Sequence, residues 1–298
     1  MKPAPFDYRA PERLDDAISL LATSANAKII AGGQSLIPML NFRLVTPDLL
    51  VDITRIPELR GIKAKGKGLS IGALTRHHEV ETSSLVKERF PVICEAMRHV
   101  AHLAIRNKGT LGGSLSHADP AAEWPMLAVL LDAQIHLQGP EGIRILEARD
   151  FLRGALTANL ESNEVLVCVD FPALPNNTVY VFDEFARRPG DFAVCAVAIT
   201  LSMGGGFLTG GKKIVDARIA VMGVDETALR ISAAEKLIKG QKAIDDELIE
   251  RVASRVRDSV NPNGDLHASA DYRKHLAYAM SRRSLKQAWA RLRTAVEV

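Results

Sequence analysis

Two short stretches of the chain combine glycine with small hydroxyl and amide side chains in a way that suits anion binding. The first is "IIAGGQSLIP", residues 29–38, which offers Gly32, Gly33, Gln34 and Ser35 at the end of an apolar run. The second is "RNKGTLGGSLSHADPAAEWP", residues 106–125, with Gly109, Thr110, Gly112, Gly113 and Ser114 at its centre. Residues without a Cβ let the backbone come close to a ligand, and successive N–H groups then converge on an anion. Such loops neutralise a diphosphate without a lysine. Placed in separate lobes, the two would hold an extended cofactor across the cleft between them. Asp119 and Glu123 follow the second loop, where carboxylates accept hydrogen bonds from ribose hydroxyls as in other dinucleotide sites.

Other candidates for chemistry fall away on spacing or context. In "GGGFLTGG", residues 204–211, the glycines miss the dinucleotide fingerprint and a strand rather than a helix follows, so a hairpin turn is expected. Cys94, Cys168 and Cys195 form no Cys-x-x-Cys pair and read as small buried side chains. Three thiols cannot hold an iron–sulfur cluster that takes four. His99 and His102 lie three apart on an expected helix but lack a third ligand, and the adjoining His77 and His78 would point different ways, so no metal site is expected. His117, inside the second loop, is the one histidine expected near the cofactor.

Alternating helix and strand signals supply the elements that must carry these loops. "PERLDDAISLLA" reads as a helix with Pro11 in its first turn, followed by the strand "AKIIA". After the first glycines, "SLIPMLNFRL" reads as a helix capped by Ser35 that tolerates Pro38, and "DLLVDI" as another strand. A second lobe starts with the strand "GLSIGA" and helical stretches from Thr75 to about Val100. It continues with a hairpin around Gly139 to Gly142 and the strand "NEVLVCVDFP". "PALPNN" is the expected linker. Beyond it, "TVYVFDEFA", "AVCAVAITLSM" and "VDARIAVMGV" read as three strands, and "ETALRISAAEKLI", "DDELIERVASRVRDSV" and residues 270–295 as helices. The expected organisation is lobes over 1–56 and 57–174, then an α+β domain over 175–298.

Composition narrows the class. The 38 basic and 35 acidic residues nearly cancel, and aromatics make up only 5%, which argues against nucleic acid as a partner. The basic C-terminal pattern "RKHLAYAMSRRSLKQAWARLR" carries Leu276, Met280 and Leu285 on a face that packs on a sheet. No apolar run approaches the roughly 20 residues of a membrane span, and "MKPAPFDYRA" has no apolar signal core. A cytoplasmic location is the resulting expectation.

The two loops together, "AGGQSLIP" and "IRNKGTLGGSLSHADPAAE", resemble those of the FAD-binding medium subunit of bacterial molybdenum hydroxylases, the aerobic carbon monoxide dehydrogenase and xanthine dehydrogenase family. "FDYRAPERLDDAISLL", "FARRPGDFAVCAVA" and "DLHASADYRKHLA" extend the resemblance over nearly the whole chain. It implies a two-lobed α/β FAD-binding domain of the vanillyl-alcohol-oxidase-like type, followed by a small domain with a three-stranded antiparallel sheet and a helical bundle. By resemblance, Ala31 to Leu36 and Thr110 to Ser114 face the FAD pyrophosphate. Glu123 and Asp119 lie on the ribose and adenosine side, with Ala101 and Leu166 as apolar neighbours. Many relatives have histidine in place of Gln34 and asparagine in place of Ser114, and others carry Gly-Asp-Pro-Gln where this chain has "AHLA".

The family also implies an electron relay without a catalytic residue on this chain. A large subunit carries the molybdopterin cofactor, a small subunit carries two [2Fe-2S] clusters, and FAD passes electrons to quinone, NAD or oxygen. The implied assembly is a dimer of heterotrimers. Two other readings are a self-sufficient FAD-dependent oxidase of the same fold and an assembly factor that lost its flavin.

Overall fold

The structure, a computed structural model, describes residues 1–205 and 211–297. The apex of the "GGGFLTGG" stretch, residues 206–210, lies outside them, as does the expected turn there. The chain begins with β1 (Asp7–Arg9), α1 (Leu14–Ala22), β2 (Ala27–Ile30), α2 (Leu36–Asn41) and β3 (Leu49–Asp52). Their strands form a parallel sheet in the order β1-β3-β2. Leu14, Ala17, Ile18 and Leu21 recur at helical spacing and bury one face of α1 against it. Pro11 lies outside this helix, which starts after Arg13.

The next segment contains β4 (Ile62–Lys65), β5 (Gly68–Gly72), α3 (His77–Thr82), α4 (Ser84–Arg89), α5 (Pro91–Met97), α6 (Leu103–Arg106), α7 (Leu111–His117) and α8 (Glu123–Leu130). It continues through β6 (Gln134–Gly139), β7 (Gly142–Glu147), α9 (Ala148–Phe151), β8 (Leu152–Gly154), β9 (Thr157–Ala158) and β10 (Val165–Phe171). Here the sheet is antiparallel, in the order β4-β5-β10-β6-β7. Almost every residue of α8 is buried. That fits a helix apolar on all sides, enclosed by the sheet and by its neighbours.

The last segment holds β11 (Thr178–Ala186), β12 (Ala193–Gly204), β13 (Lys213–Met222), β14 (Leu229–Arg230), α10 (Ser232–Ile238), α11 (Asp246–Asp258) and α12 (Ala270–Glu297). Its antiparallel sheet has four strands rather than three, because Leu229 and Arg230 pair with Val221 and Ala220 instead of opening a helix. Leu276, Met280 and Leu285 of α12 are buried in the core that this sheet shares with α11. Leu201, Ile219 and Val221 meet them there.

Candidate functional site

Between β2 and α2 the chain turns through Ala31 to Ser35. Gly33 sits at φ +71°, in the left-handed region that favours glycine. Ser35 stands at the N-cap position of α2 with helical φ and ψ, and its hydroxyl makes no capping bond. The Gln34 amide folds back, donating from Nε2 to Gly32 O at 2.9 Å. Ile37 N donates to Gly33 O at 3.0 Å. The backbone N–H groups of Gly32, Gly33, Gln34, Ser35 and Leu36 have no acceptor among the described residues. A run of free amides is what an oxyanion needs.

The second loop lies directly against the first. A Cβ on Gly32 would stand 2.3 Å from Lys108 O and 2.9 Å from Gly109 Cα, so only glycine permits this approach. Arg76 Nη1 donates to Asn107 O and Lys108 O at 2.9 and 3.0 Å, holding the loop from behind. The amides of this loop are less open than its glycines suggest. Leu111 N donates to Thr75 O at 3.1 Å and Gly112 N to Ala73 O at 2.8 Å. Gly113 N bonds the Thr110 hydroxyl at 3.1 Å and Ser114 N bonds Thr110 O at 3.0 Å. Gly112 is wedged against Ala73, whereas Gly113 is exposed. The second loop is therefore a braced wall, and the first carries the free donors.

A buried histidine does the bracing. His77 N donates to Gly109 O at 3.1 Å. A Cβ on Gly109 would meet His77 Nε2 at 2.6 Å. Trp124 Nε1 donates to His77 Nδ1 at 2.9 Å, which makes Nδ1 the acceptor and fixes the ring as the Nε2–H tautomer. Burial, and then the positive charge of Arg106, push the imidazole down to about 4. Adjacency to His78 had argued only against a shared metal-ligand role for this residue.

Near α8 and β11 lies a group of carboxyls. Asp119 Oδ1 accepts from Ala121 N at 2.8 Å and so shapes the turn into α8. Burial first, and then the carboxylates of Glu184 and Asp119, push Glu123 up to about 8. Glu184, on β11, has a side chain only 3% exposed, and burial pushes it up to about 7. Its Oε2 is buried without a hydrogen-bond partner. The only sequence signal for Glu184 was a carboxylate inside the apolar strand "TVYVFDEFA".

His99 and His102 do not share a helix: α5 ends at Met97, and Ala101 turns the chain at φ +40°. Arg106 secures that turn by donating to Val100 O and Ala101 O at 3.1 Å each, while its Nε meets Glu81 at 3.0 Å. His102 packs instead against Gly190, where a Cβ would come within 2.6 Å of its ring. His117 closes α7 and is half-buried. Leu166 lies on β10 within the core, with little open surface. Cys94 and Cys195 are buried as expected, but Cys168 is half-buried because its strand face is only partly covered.

Free amides, a glycine contact closed to any Cβ and an orphaned carboxyl oxygen are features that suit a long anionic group with hydroxyls, such as FAD. A mixed fold that presents free amides at a close contact between two loops, with buried carboxyls near the following helix, defines a nucleotide-cofactor protein. Residues 4–174 match the FAD binding domain in molybdopterin dehydrogenase, and residues 180–288 match the CO dehydrogenase flavoprotein C-terminal domain. The chain belongs to the family of FAD-binding medium subunits of molybdenum hydroxylase complexes.

Among its relatives, the 6-hydroxypseudooxynicotine dehydrogenase complex subunit alpha of Paenarthrobacter nicotinovorans is 39% identical, with 100% of this chain and 99% of that one covered. The carbon monoxide dehydrogenase medium chain of Hydrogenophaga pseudoflava is 36% identical, with 98% and 99% covered. In solved structures, carbon monoxide dehydrogenase from Hydrogenophaga pseudoflava superposes with a TM-score of 0.92 at 37% identity, covering 98% of this chain and 99% of that one. Quinoline 2-oxidoreductase from Pseudomonas putida 86 gives 0.90 at 41% identity, covering 98% and 100%. The expected family and mixed fold, with an FAD-binding part and a C-terminal part, agree with these matches.

Proposed function

We propose that this chain holds FAD between the two loops and serves as the electron outlet of a molybdenum hydroxylase. The observation that supports this reading most is the set of free amides from Gly32 to Leu36, pressed against the wall formed by Lys108 and Gly109. Those amides bind the pyrophosphate. Thr110, Leu111, Gly112, Gly113 and Ser114 shape the opposite side, and Gly113 is its open point. Asp119 and Glu123 meet the ribose side, Ala101 contributes an apolar edge, and Leu166 backs the pocket from the core. The domain boundary falls after residue 174, in the stretch joining β10 to β11.

FAD, when bound, takes up electrons singly and releases them in pairs. The chain's own part is to bind, orient and shield that group. With three cysteines on three separate elements, it takes its electrons from the [2Fe-2S] clusters of a small partner subunit. The large partner holds the molybdopterin cofactor, the assembly is a dimer of heterotrimers, and the final acceptor is quinone, NAD or oxygen. Ile37, Phe42 and Leu44 beside the first loop and Leu103 before the second are exposed apolar side chains suited to a partner interface. No helix among the described residues is long and apolar enough to cross a membrane.

Purification from the native host, followed by an absorption spectrum and identification of the accompanying chains, tests this reading. The expected result is flavin absorption together with two companions that carry iron–sulfur and molybdopterin. A colourless chain purified alone would contradict it.

A further inference from the structure

Away from the glycine loops, the five-stranded sheet brings together three side chains of mixed donor type. Cys168 and Asp170 alternate onto one face of β10, and Cys168 stands directly opposite His136 of β6 in the strand register. One ligand atom from each, His136 Nε2, Cys168 Sγ and an Asp170 oxygen, lie within 4.8 Å of one another. His136 Nε2 and Asp170 Oδ2 are 2.6 Å apart. We propose that His136, Cys168 and Asp170 form a binding site for a thiophilic divalent cation of the zinc type.

Two further observations support a ligand here rather than a closed polar cluster. The Asp170 side chain is 7% exposed, and its Oδ1 is buried with no hydrogen-bond partner. Against the upward push of burial, Lys65, then Ser70 and His136, hold the carboxyl below its usual range, yet none of them reaches Oδ1 in hydrogen-bond geometry. A buried oxygen left without a partner is costly unless something else meets it. The second observation is the present occupant of the site. Lys65 Nζ stands 2.5 Å from Asp170 Oδ2, on a side chain that is 60% exposed. It is a single positive charge on a flexible stem, exposed on the lysine side only, so a cation that replaces it must also supply the charge that the buried carboxylate needs.

The chemistry of the set selects the ion. One imidazole nitrogen, one thiolate and one carboxylate favour zinc or cobalt over magnesium or calcium, which prefer oxygen alone. Tetrahedral zinc with bonds of about 2.0–2.3 Å spaces its ligand atoms roughly 3.3–3.8 Å apart, so the set must adjust in both directions: atoms up to 4.8 Å apart draw in, and His136 Nε2 and Asp170 Oδ2, now 2.6 Å apart, separate. On binding, the thiol proton passes to solvent, the imidazole proton that lies between His136 Nε2 and Asp170 moves to Nδ1 so that Nε2 can ligate, Lys65 swings outward and water takes the fourth position. The ion would tie β6 to β10, the strand leading to the 172–177 connection. The sequence reading foresaw no metal on this chain because His136 and the 168/170 pair meet only through strand pairing.

The test is a titration of the full chain, stripped of metal and flavin, with Co2+ and then Zn2+. The expected result is a thiolate-to-cobalt charge-transfer band that saturates at one ion per chain and is displaced by Zn2+. Cys168→Ser should abolish the band, and His136→Ala should weaken binding at least tenfold. Lys65→Ala should keep the band and tighten binding several-fold. Zn2+ should also slow alkylation of Cys168, read by peptide mass in the wild-type chain. The proposal is overturned if neither wild type nor Lys65→Ala shows the band, if the band survives Cys168→Ser, or if alkylation of Cys168 is indifferent to Zn2+.

Discussion

Trp124 Nε1 donates to Nδ1 of the buried His77 across 2.9 Å, and that one bond joins α8 to the wall of the cofactor cleft. The backbone N–H of His77 holds Gly109 O, and Gly109 lies against Gly32 of the first loop. The contact runs from the hydrophobic core to the free amides through four residues. A cradle built this way keeps its shape through packing, independently of its ligand.

Trp124→Phe should therefore loosen the cleft, because it removes the hydrogen bond and puts a smaller ring at a fully buried position. It leaves a buried imidazole nitrogen without a donor, at a cost of about 1–3 kcal/mol. Thermal unfolding should show that loss, and FAD should dissociate faster. A variant matching wild type in both would mean that the bond is not structural.

His77 also predicts how stability responds to acid. Its folded value is pushed down to about 4 from an ordinary 6.5, so between those values the unfolded chain binds a proton that the folded chain refuses. Stability supplied by the neutral ring should be lost as pH falls from 6.5 towards 4. Denaturant midpoints for wild type and His77→Gln should separate by an amount that shrinks across this window.

Glu123 predicts the opposite slope. Burial raises it to about 8 from 4.5, so the folded chain keeps a proton that the unfolded chain has released. Stability present below pH 4.5 should decline as pH rises through 8. In the flavin-free chain, Glu123→Gln should flatten that decline, by about 2–4 °C in melting temperature for each kcal/mol relieved. Equal slopes for the two proteins would show that this carboxyl is not held protonated.

Arg273, buried on α12, should matter for stability alone. Its Nη1 donates to Val194 O at 2.7 Å and to Gly223 O at 2.6 Å, while Nη2 meets Asp265 Oδ2 at 2.7 Å. Arg273→Met strands two buried carbonyls and should cost about 2–3 kcal/mol. Calorimetry should detect it, with flavin content per folded chain unchanged.

The elements and the first loop were legible in sequence because their signals are local. Leu14, Ala17, Ile18 and Leu21 repeat at helical period, and Gly33 marks a turn that other residues resist. Three features were not local, and sequence missed them. The amides of Leu111 and Gly112 look free in a glycine-rich loop, yet Thr75 and Ala73 take them up through tertiary contact, while Thr110 caps α7 and takes up those of Gly113 and Ser114 locally. Glu184 becomes significant only when β11 buries it beside α8, and His77 only when Trp124 reaches it. Leu229 and Arg230 looked like the start of a helix until pairing with β13 made them a strand.

The central claim is that the amides of the first loop grip the charged middle of FAD against the second. A crystal structure of the FAD-loaded chain, alongside the flavin content of Gly33→Val, tests it most directly. The account predicts pyrophosphate oxygens within hydrogen-bond distance of the amides between Gly32 and Leu36, and a folded Gly33→Val that retains less than about a tenth of the flavin, a loss of at least roughly 1.4 kcal/mol. Pyrophosphate bound away from these amides, or full flavin content in that variant, would contradict it.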